Sequence, residues 1–142
     1  MYNNPWYYNE KPFESEDIPE TAIGFVYLIT LPDDRKYIGR KGFYSTIRKP
    51  PLKGKTRKRK VVKESDWKNY FGSSDEMKEL LLTNGPNGFR REILRLCSSK
   101  SELSYFETKE IFVRDALLKD DYINKWLTAQ INGSNLKNIR EI

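Results

Sequence analysis

Two short β-rich runs, residues 24–31 and 35–40, flank Pro32-Asp33-Asp34, and this hairpin signal limits the fold more than any other feature of the chain. Side chains of a strand alternate between faces, so the length of the loop decides which residues meet across the ladder. If the loop is the three residues Pro32 to Asp34, Tyr27 lies opposite Gly39 and Ile29 opposite Tyr37, with both tyrosines on one face. Asp34 tolerates the left-handed conformation that such a loop needs. Gly39 would then leave an open notch beside the Tyr27 phenol, where a phosphate could approach. A two- or four-residue loop would instead put the tyrosines on opposite faces, and tyrosine is in any case a good strand residue.

Punctuation and periodicity organise the rest. Ser73 with Glu76 three residues later reads as a capping box opening a helix to about Thr83, which Asn84-Gly85-Pro86 stops. Phe89 to Cys97 reads as a third strand, and Ser99 with Glu102 as a second capping box opening a long helix to about Leu118. Residues 1–20 read as an extended arm lying on a single domain of residues 21–142. The order predicts an α/β (α+β) fold: a small central antiparallel three-stranded sheet flanked by helices. No apolar run approaches the ~20 residues of a membrane span, and the N-terminus lacks the basic and apolar regions of a secretory signal. The single cysteine, Cys97, follows Ile93-Leu94-Arg95-Leu96 and reads as a buried, inert thiol in a reducing cytoplasm.

Charge and composition narrow the chemistry. The chain has no histidine, so histidine general bases, Ser-His-Asp or Cys-His nucleophiles and His-ligated zinc are excluded. Acid–base work would fall to Tyr, Lys, Glu, Asp or Cys97. Residues 48–63 hold nine cations and no acid: Arg48, Lys49, Lys53, Lys55, Arg57, Lys58, Arg59, Lys60 and Lys63. Removing these nine from the 26 basic residues leaves 17 against 20 acidic ones, so one segment supplies the whole positive excess. Pro50, Pro51 and Gly54 exclude a regular helix there and favour a loop. Such a segment repels itself unless a polyanion is near, which points to nucleic-acid contact with steep salt dependence.

Glu107 is the most informative single residue on the second helix. Leu103 and Ile111 lie four residues on either side, placing it in an apolar stripe, and Ser104 and Glu110 at three residues offer no cation. Glu110, by contrast, has Arg114 four residues on as an ordinary surface partner. A carboxylate turned toward a sheet without a local partner needs a cation or a metal, unless it reaches solvent at the helix edge.

Together these residues resemble the GIY-YIG nuclease superfamily. Gly24-Phe25-Val26-Tyr27 matches the first signature, Tyr37-Ile38-Gly39 the second, and Glu107 with Ile111 the metal-binding helix. The stretches Lys36 to Lys41, Asp66 to Ser74 and Phe89 to Leu94 are similar to small phage-encoded homing-type endonucleases, and the resemblance covers roughly residues 20–135. It implies a DNA endonuclease acting on double-stranded DNA in the cytoplasm of a bacterial host. Tyr27 would be the general base, Tyr37 would position the phosphate or water, and Glu107 would hold one Mg²⁺ or Mn²⁺. The family asparagine would be Asn124, with Asn132 as a fallback. The usual arginine helix after the second signature is short or absent, because two prolines follow Arg48 closely. Arg48 is the candidate for the phosphate-stabilising arginine and Lys41 its competitor, with Arg40, Arg57 and Arg59 open. The inserted segment, with Arg40, Lys53, Lys55, Arg57, Lys58, Arg59, Lys60 and Lys63, would be the DNA clamp. Aromatics around Trp67 and Tyr70 could stack on bases, although most aromatics fill cores. Two other readings stay open: a non-catalytic nucleic-acid-binding protein on a nuclease scaffold, and an assembly protein. Monomer and homodimer also remain open.

Overall fold

The computed structural model describes residues 4–57, 59–125, 131 and 136, with backbone alone at Lys60. Its elements in chain order are β1 (Trp6–Tyr8), β2 (Lys11–Phe13), β3 (Gly24–Thr30), β4 (Lys36–Gly42), β5 (Tyr44–Lys49), β6 (Arg59–Glu64), α1 (Asp75–Asn84), β7 (Arg90–Cys97) and α2 (Lys100–Val113). The class is α+β as expected, but the sheet is not three-stranded: five strands run in the order β2-β1-β7-β3-β4.

The extra strands come from the stretch expected to be an arm. β1 pairs in parallel with β7, covering what would otherwise be an open edge, and β2 folds back antiparallel on β1. The connecting residues Asn9 and Glu10 both have positive φ, 51° and 68°, which is the backbone of a two-residue hairpin turn. Burial of Trp6, with no exposed surface, anchors this hairpin in the core. Strands of three residues are too short to announce themselves by alternation, so the sequence reading missed them.

The central hairpin has the expected three-residue loop. Tyr27 is opposite Gly39 and Ile29 opposite Tyr37, with Asp34 at φ 71°. The Asp34 N–H donates to the Leu31 carbonyl at 2.9 Å, closing the turn. Alternation then splits the core. Phe25, Tyr27 and Ile29 join Trp6, Phe43, Trp67 and Met77 on one face; Val26, Leu28 and Ile38 meet Leu103, Phe106 and Ile111 of α2 on the other. The ladder between β3 and β7 shifts register between Val26 and Tyr27, a bulge beside the first signature tyrosine.

Three local expectations need correction. The expected Ser73–Glu76 capping box does not form: Ser74 is the N-cap of α1, while Glu76 pairs with Arg35 across the structure. The second helix ends at Val113, short of Leu118. Asp115 takes φ 54°, Ala116 N–H donates to the Ile111 carbonyl at 2.9 Å and Asp115 N–H to that of Phe112 at 3.1 Å, a left-handed cap with Ala116 and Ile111 buried together. Lastly, the basic stretch is a loop only over residues 50–57, around Pro50, Pro51 and Gly54 as expected; its two ends are strand. β5 and β6 form a separate antiparallel ribbon, with residues 50–57 at its tip. The runs Tyr44-Ser45-Thr46-Ile47 and Val61-Val62 supply the β-branched residues that favour it, and Pro50 ends β5. Strand β5, rather than a helix, directly follows the second signature.

Candidate active site

The open edge of the sheet, along β4, is where the signature residues meet. Beyond it runs the segment after α2, which seals part of the edge. Lys36 N–H donates to the Asp121 carbonyl at 2.8 Å and Ile123 N–H to the Lys36 carbonyl at 2.8 Å. One residue further, the Asn124 side chain replaces a backbone partner. Its Oδ1 accepts from Ile38 N–H at 3.0 Å and its Nδ2 donates to the Ile38 carbonyl at 2.9 Å. Asn124 is buried, and both ends of its amide are spent on the strand that carries Gly39. The fallback Asn132 lies outside the described residues.

Tyr27 is buried to 1% exposure, and its phenol lies over Gly39. A Cβ added at Gly39 would sit 2.3 Å from the Tyr27 hydroxyl and 2.5 Å from Cζ. The notch expected beside Tyr27 is therefore filled by the phenol itself. Gly39 works as a passage: without a side chain there, the ring can reach across β4 to the edge. Arg40 and Glu107 approach that same edge from the opposite face of the sheet, because Arg40 is one residue out of phase with Gly39 and α2 packs on the Val26–Ile38 side. Tyr27, Tyr37, Gly39, Arg40, Glu107 and Asn124 line one cleft of about 690 Å³.

The electrostatics follow from partial burial. Loss of water raises the Glu107 carboxyl above the usual carboxylate range, against the pull of the Arg40 guanidinium. That guanidinium lies 3.6 Å from Glu107 and also donates to the Ser104 hydroxyl, one helical turn before Glu107. Burial pushes Tyr27 well above its ordinary pKa of 10, and the neighbouring Tyr70 and Tyr37 hydroxyls and Glu107 push the same way. Tyr37 is raised by burial too, although Ser73, whose hydroxyl is 3.3 Å from the Tyr37 hydroxyl, opposes the shift. In the free protein both phenols are neutral at neutral pH.

The remaining candidates sort by position. Lys41 does not line the cleft; its ammonium pairs with Asp66 at 2.7 Å and sits 4.3 Å from the centre of the Tyr70 ring. Arg48 does not line it either, lying exposed on β5. Of the cations considered for the family arginine, Arg40 is the one brought beside Glu107. Lys53, Lys55 and Arg57 are exposed at the ribbon tip, and Arg59 and Lys63 are exposed on β6. Lys58 lies outside the described residues, and Lys60 is placed by its backbone alone. Glu110 makes its expected surface pair with Arg114 at 2.9 Å.

Three contacts were not foreseen from the sequence, which offered Tyr70 only as a base-stacking aromatic. Tyr70 packs edge-on against Tyr27 with ring centroids 5.9 Å apart, Ser73 meets Tyr37, and Ser104 meets Arg40. Ser104 was within reach, being three residues before Glu107 on the same helical face. Among the described residues, no three acidic or thiol groups cluster as a metal cage. Asp75 and Glu76 line the same cleft, Glu76 being paired with Arg35. The half-desolvated Glu107 carboxylate, edged by hydroxyl oxygens, still suits a hard, hydrated divalent cation, which takes most of its ligands from water and phosphate.

A family model described as "Putative endonuclease segE, GIY-YIG domain" matches residues 6–131 of the chain. No curated protein and no solved structure matches it significantly.

Proposed function

Because the chain belongs to the GIY-YIG nuclease superfamily, we propose that it is a metal-dependent endonuclease that hydrolyses phosphodiester bonds of double-stranded DNA. The observation that carries this reading is the meeting of Tyr27, Tyr37, Arg40 and Glu107 in one cleft, drawn from both faces of the sheet around Gly39. Glu107 would hold one Mg²⁺ or Mn²⁺, which when bound polarises the phosphate and stabilises the leaving oxygen. Arg40 offers planar, permanently charged donors to the phosphate oxygens and is the family arginine here, in place of Arg48 or Lys41. Tyr37 orients the phosphate or the attacking water with its hydroxyl. Tyr27 is a neutral phenol before substrate arrives. It would act as base only as the phenolate, after giving up its own proton to solvent once the cations gathered with the DNA lower its pKa, and would then take the proton from the attacking water. Asn124 acts as a positioning residue, holding Ile38 and thereby Gly39 in place. Lys41 acts through Tyr70, fixing the ring against which Tyr27 leans.

On the resemblance to small phage-encoded homing-type enzymes, the setting is the cytoplasm of an infected bacterium. The basic ribbon is the clamp that makes DNA affinity salt-dependent. One observation favours a second reading, a binding module on a nuclease scaffold: the Arg40 guanidinium, 3.6 Å from Glu107, gives that carboxylate a partner from the protein itself. Cleavage of supercoiled plasmid with Mg²⁺ or Mn²⁺ separates the two, comparing the native chain with Glu107→Gln at matched DNA binding. Nicking or linearisation that the substitution abolishes supports the nuclease. Tight, salt-sensitive binding with no cut by the native chain in either metal supports the binding module.

A further inference from the structure

The catalytic cleft does not end at Arg40. A second groove of about 560 Å³ shares that residue and runs on to the base of the ribbon, between Ser104 and Lys100 of α2 and Tyr44 and Val62 of the ribbon. Lys41 and Lys100 join Arg40 along it, and no acidic residue lines it. Two of these cations have acidic partners at the channel's margins, Arg40 with Glu107 at 3.6 Å and Lys41 with Asp66 at 2.7 Å, while the channel wall itself is cationic and so complementary to a phosphate backbone leaving the cleft.

The ribbon continues this path. Tyr44 is opposite Glu64, Thr46 opposite Val62 and Arg48 opposite Lys60, so Tyr44, Thr46, Arg48 and Val62 share one face, with Lys60 at its tip-side position and Glu64 at its base. There the Glu64 carboxylate accepts from the Ser15 hydroxyl at 2.6 Å and the Trp67 indole N–H at 2.7 Å. That face is open: Tyr44 is 46% and Val62 65% exposed, and Thr46 and Arg48 are exposed as well. Exposed β-branched and aromatic residues in a row on a strand pair are costly in water without a partner. Toward the tip, Lys49 stands directly opposite Arg59, a like-charge pairing that opposes the ribbon unless an anion lies against it. A ribbon that is marginal alone and cationic on its other side has the makings of a groove reader.

We propose that the Tyr44–Thr46–Arg48–Val62 face enters the DNA major groove and reads the base pairs flanking the cut, while the Arg40–Lys41–Lys100 groove carries the phosphates between cut and ribbon. The position of the cut rests on the nuclease reading above; the base readout does not. A two-stranded ribbon fits a major groove about 12 Å wide, the methyls of Thr46 and Val62 suit thymine methyls, and Arg48 suits a guanine edge. Six residues of strand reach about 20 Å, roughly six base pairs. Lys49, Arg59 and Lys63, on the other face, supply charge that carries no base information.

The test is selection of bound duplexes from a randomised library by the full chain carrying Glu107→Gln, which keeps the DNA intact. The expected pool shows a base preference of about tenfold or more, confined to some six adjacent base pairs. Exchanging Thr46→Val and Val62→Thr together keeps two β-branched residues, hence the strand propensity, and changes the preferred bases. It leaves affinity for unselected DNA within about threefold, because no charge is altered. Arg48→Ala, a second and independent variant, relaxes the preference at one position. A preference that survives the exchange and Arg48→Ala unchanged overturns the proposal, as does a selected pool without any preference. If the native chain cuts plasmid and yet no preference is selected, this proposal falls and the nuclease reading stands. If the Glu107→Gln chain selects a ribbon-dependent preference while the native chain never cuts, the reverse holds. Failure to bind any duplex overturns both.

Discussion

Replacing Gly39 with alanine tests the passage through which Tyr27 reaches the cleft. The new methyl would stand 2.3 Å from the Tyr27 hydroxyl and 2.5 Å from its Cζ. Ordinary carbon contacts begin near 3.4 Å, so the phenol must retreat by about 1 Å. It cannot swing away freely, since the ring is 1% exposed and packed against Trp6, with centroids 5.4 Å apart, and Tyr70, at 5.9 Å. Overpacking of this kind costs about 1–3 kcal/mol, of which alanine's advantage over glycine in a strand returns about 0.5–1. The net loss is about 1–2 kcal/mol, or roughly 4–8 °C in Tm for a domain of this size. Activity should suffer more: a catalytic group misplaced by about 1 Å can lose about a hundredfold in rate. The assay is thermal unfolding alongside plasmid cleavage, repeated in a Tyr27→Leu background. There the obstructing ring is gone, so Gly39→Ala should cost nothing further in stability, a coupling that the double-mutant cycle reads directly. Native stability and native cleavage in Gly39→Ala would refute the passage, and so would an equal stability cost in both backgrounds.

Asn124→Ala strands the Ile38 N–H and carbonyl at a covered edge, a loss of roughly 2–4 kcal/mol in urea unfolding; a change below about 0.5 kcal/mol would show that water replaces the amide. Burial raises the Cys97 thiol to about 12, leaving about one thiolate in ten thousand at pH 8, so a haloacetamide should label it only on unfolding. Rapid alkylation of the native chain would contradict that burial. The Tyr27 pKa is raised in the folded state, so its contribution to stability is whole below the unfolded value near 10 and is lost as pH rises toward the folded one. Ultraviolet titration should therefore show one of the nine tyrosines ionising only as the chain unfolds in alkali, and Tyr27→Phe should remove that tyrosine from the late phase; a late phase that persists in Tyr27→Phe would mean another residue causes it.

The parts of the fold legible from residue order are those set within a few residues of chain. A three-residue loop with Asp34 in a left-handed conformation dictates which strand residues face each other, and Tyr27 against Gly39 follows from counting. The isolation of Glu107 follows in the same way, because helical period alone shows that no cation lies one turn away. The absence of a helix directly after the second signature is also written locally, in Pro50 and Pro51 and the β-branched run before them. In one place where a local signal misled, a long-range contact had claimed the residue: Glu76 left its capping box for Arg35.

The assembly of the site belongs to another scale. Nothing near Tyr27 in the chain says that its phenol lies over Gly39, because the ring is held there by Trp6 and Tyr70, 21 residues before it and 43 after. Arg40 was one cation among several until the packing of α2 on the Val26–Ile38 face put Glu107 beside it and left Arg48 out on the ribbon. Turn geometry, strand alternation and helical period are steric properties of adjacent residues and can be read in order. A cleft built from both faces of a sheet edge depends on which distant side chains fill the core, and that is settled only when the whole chain packs.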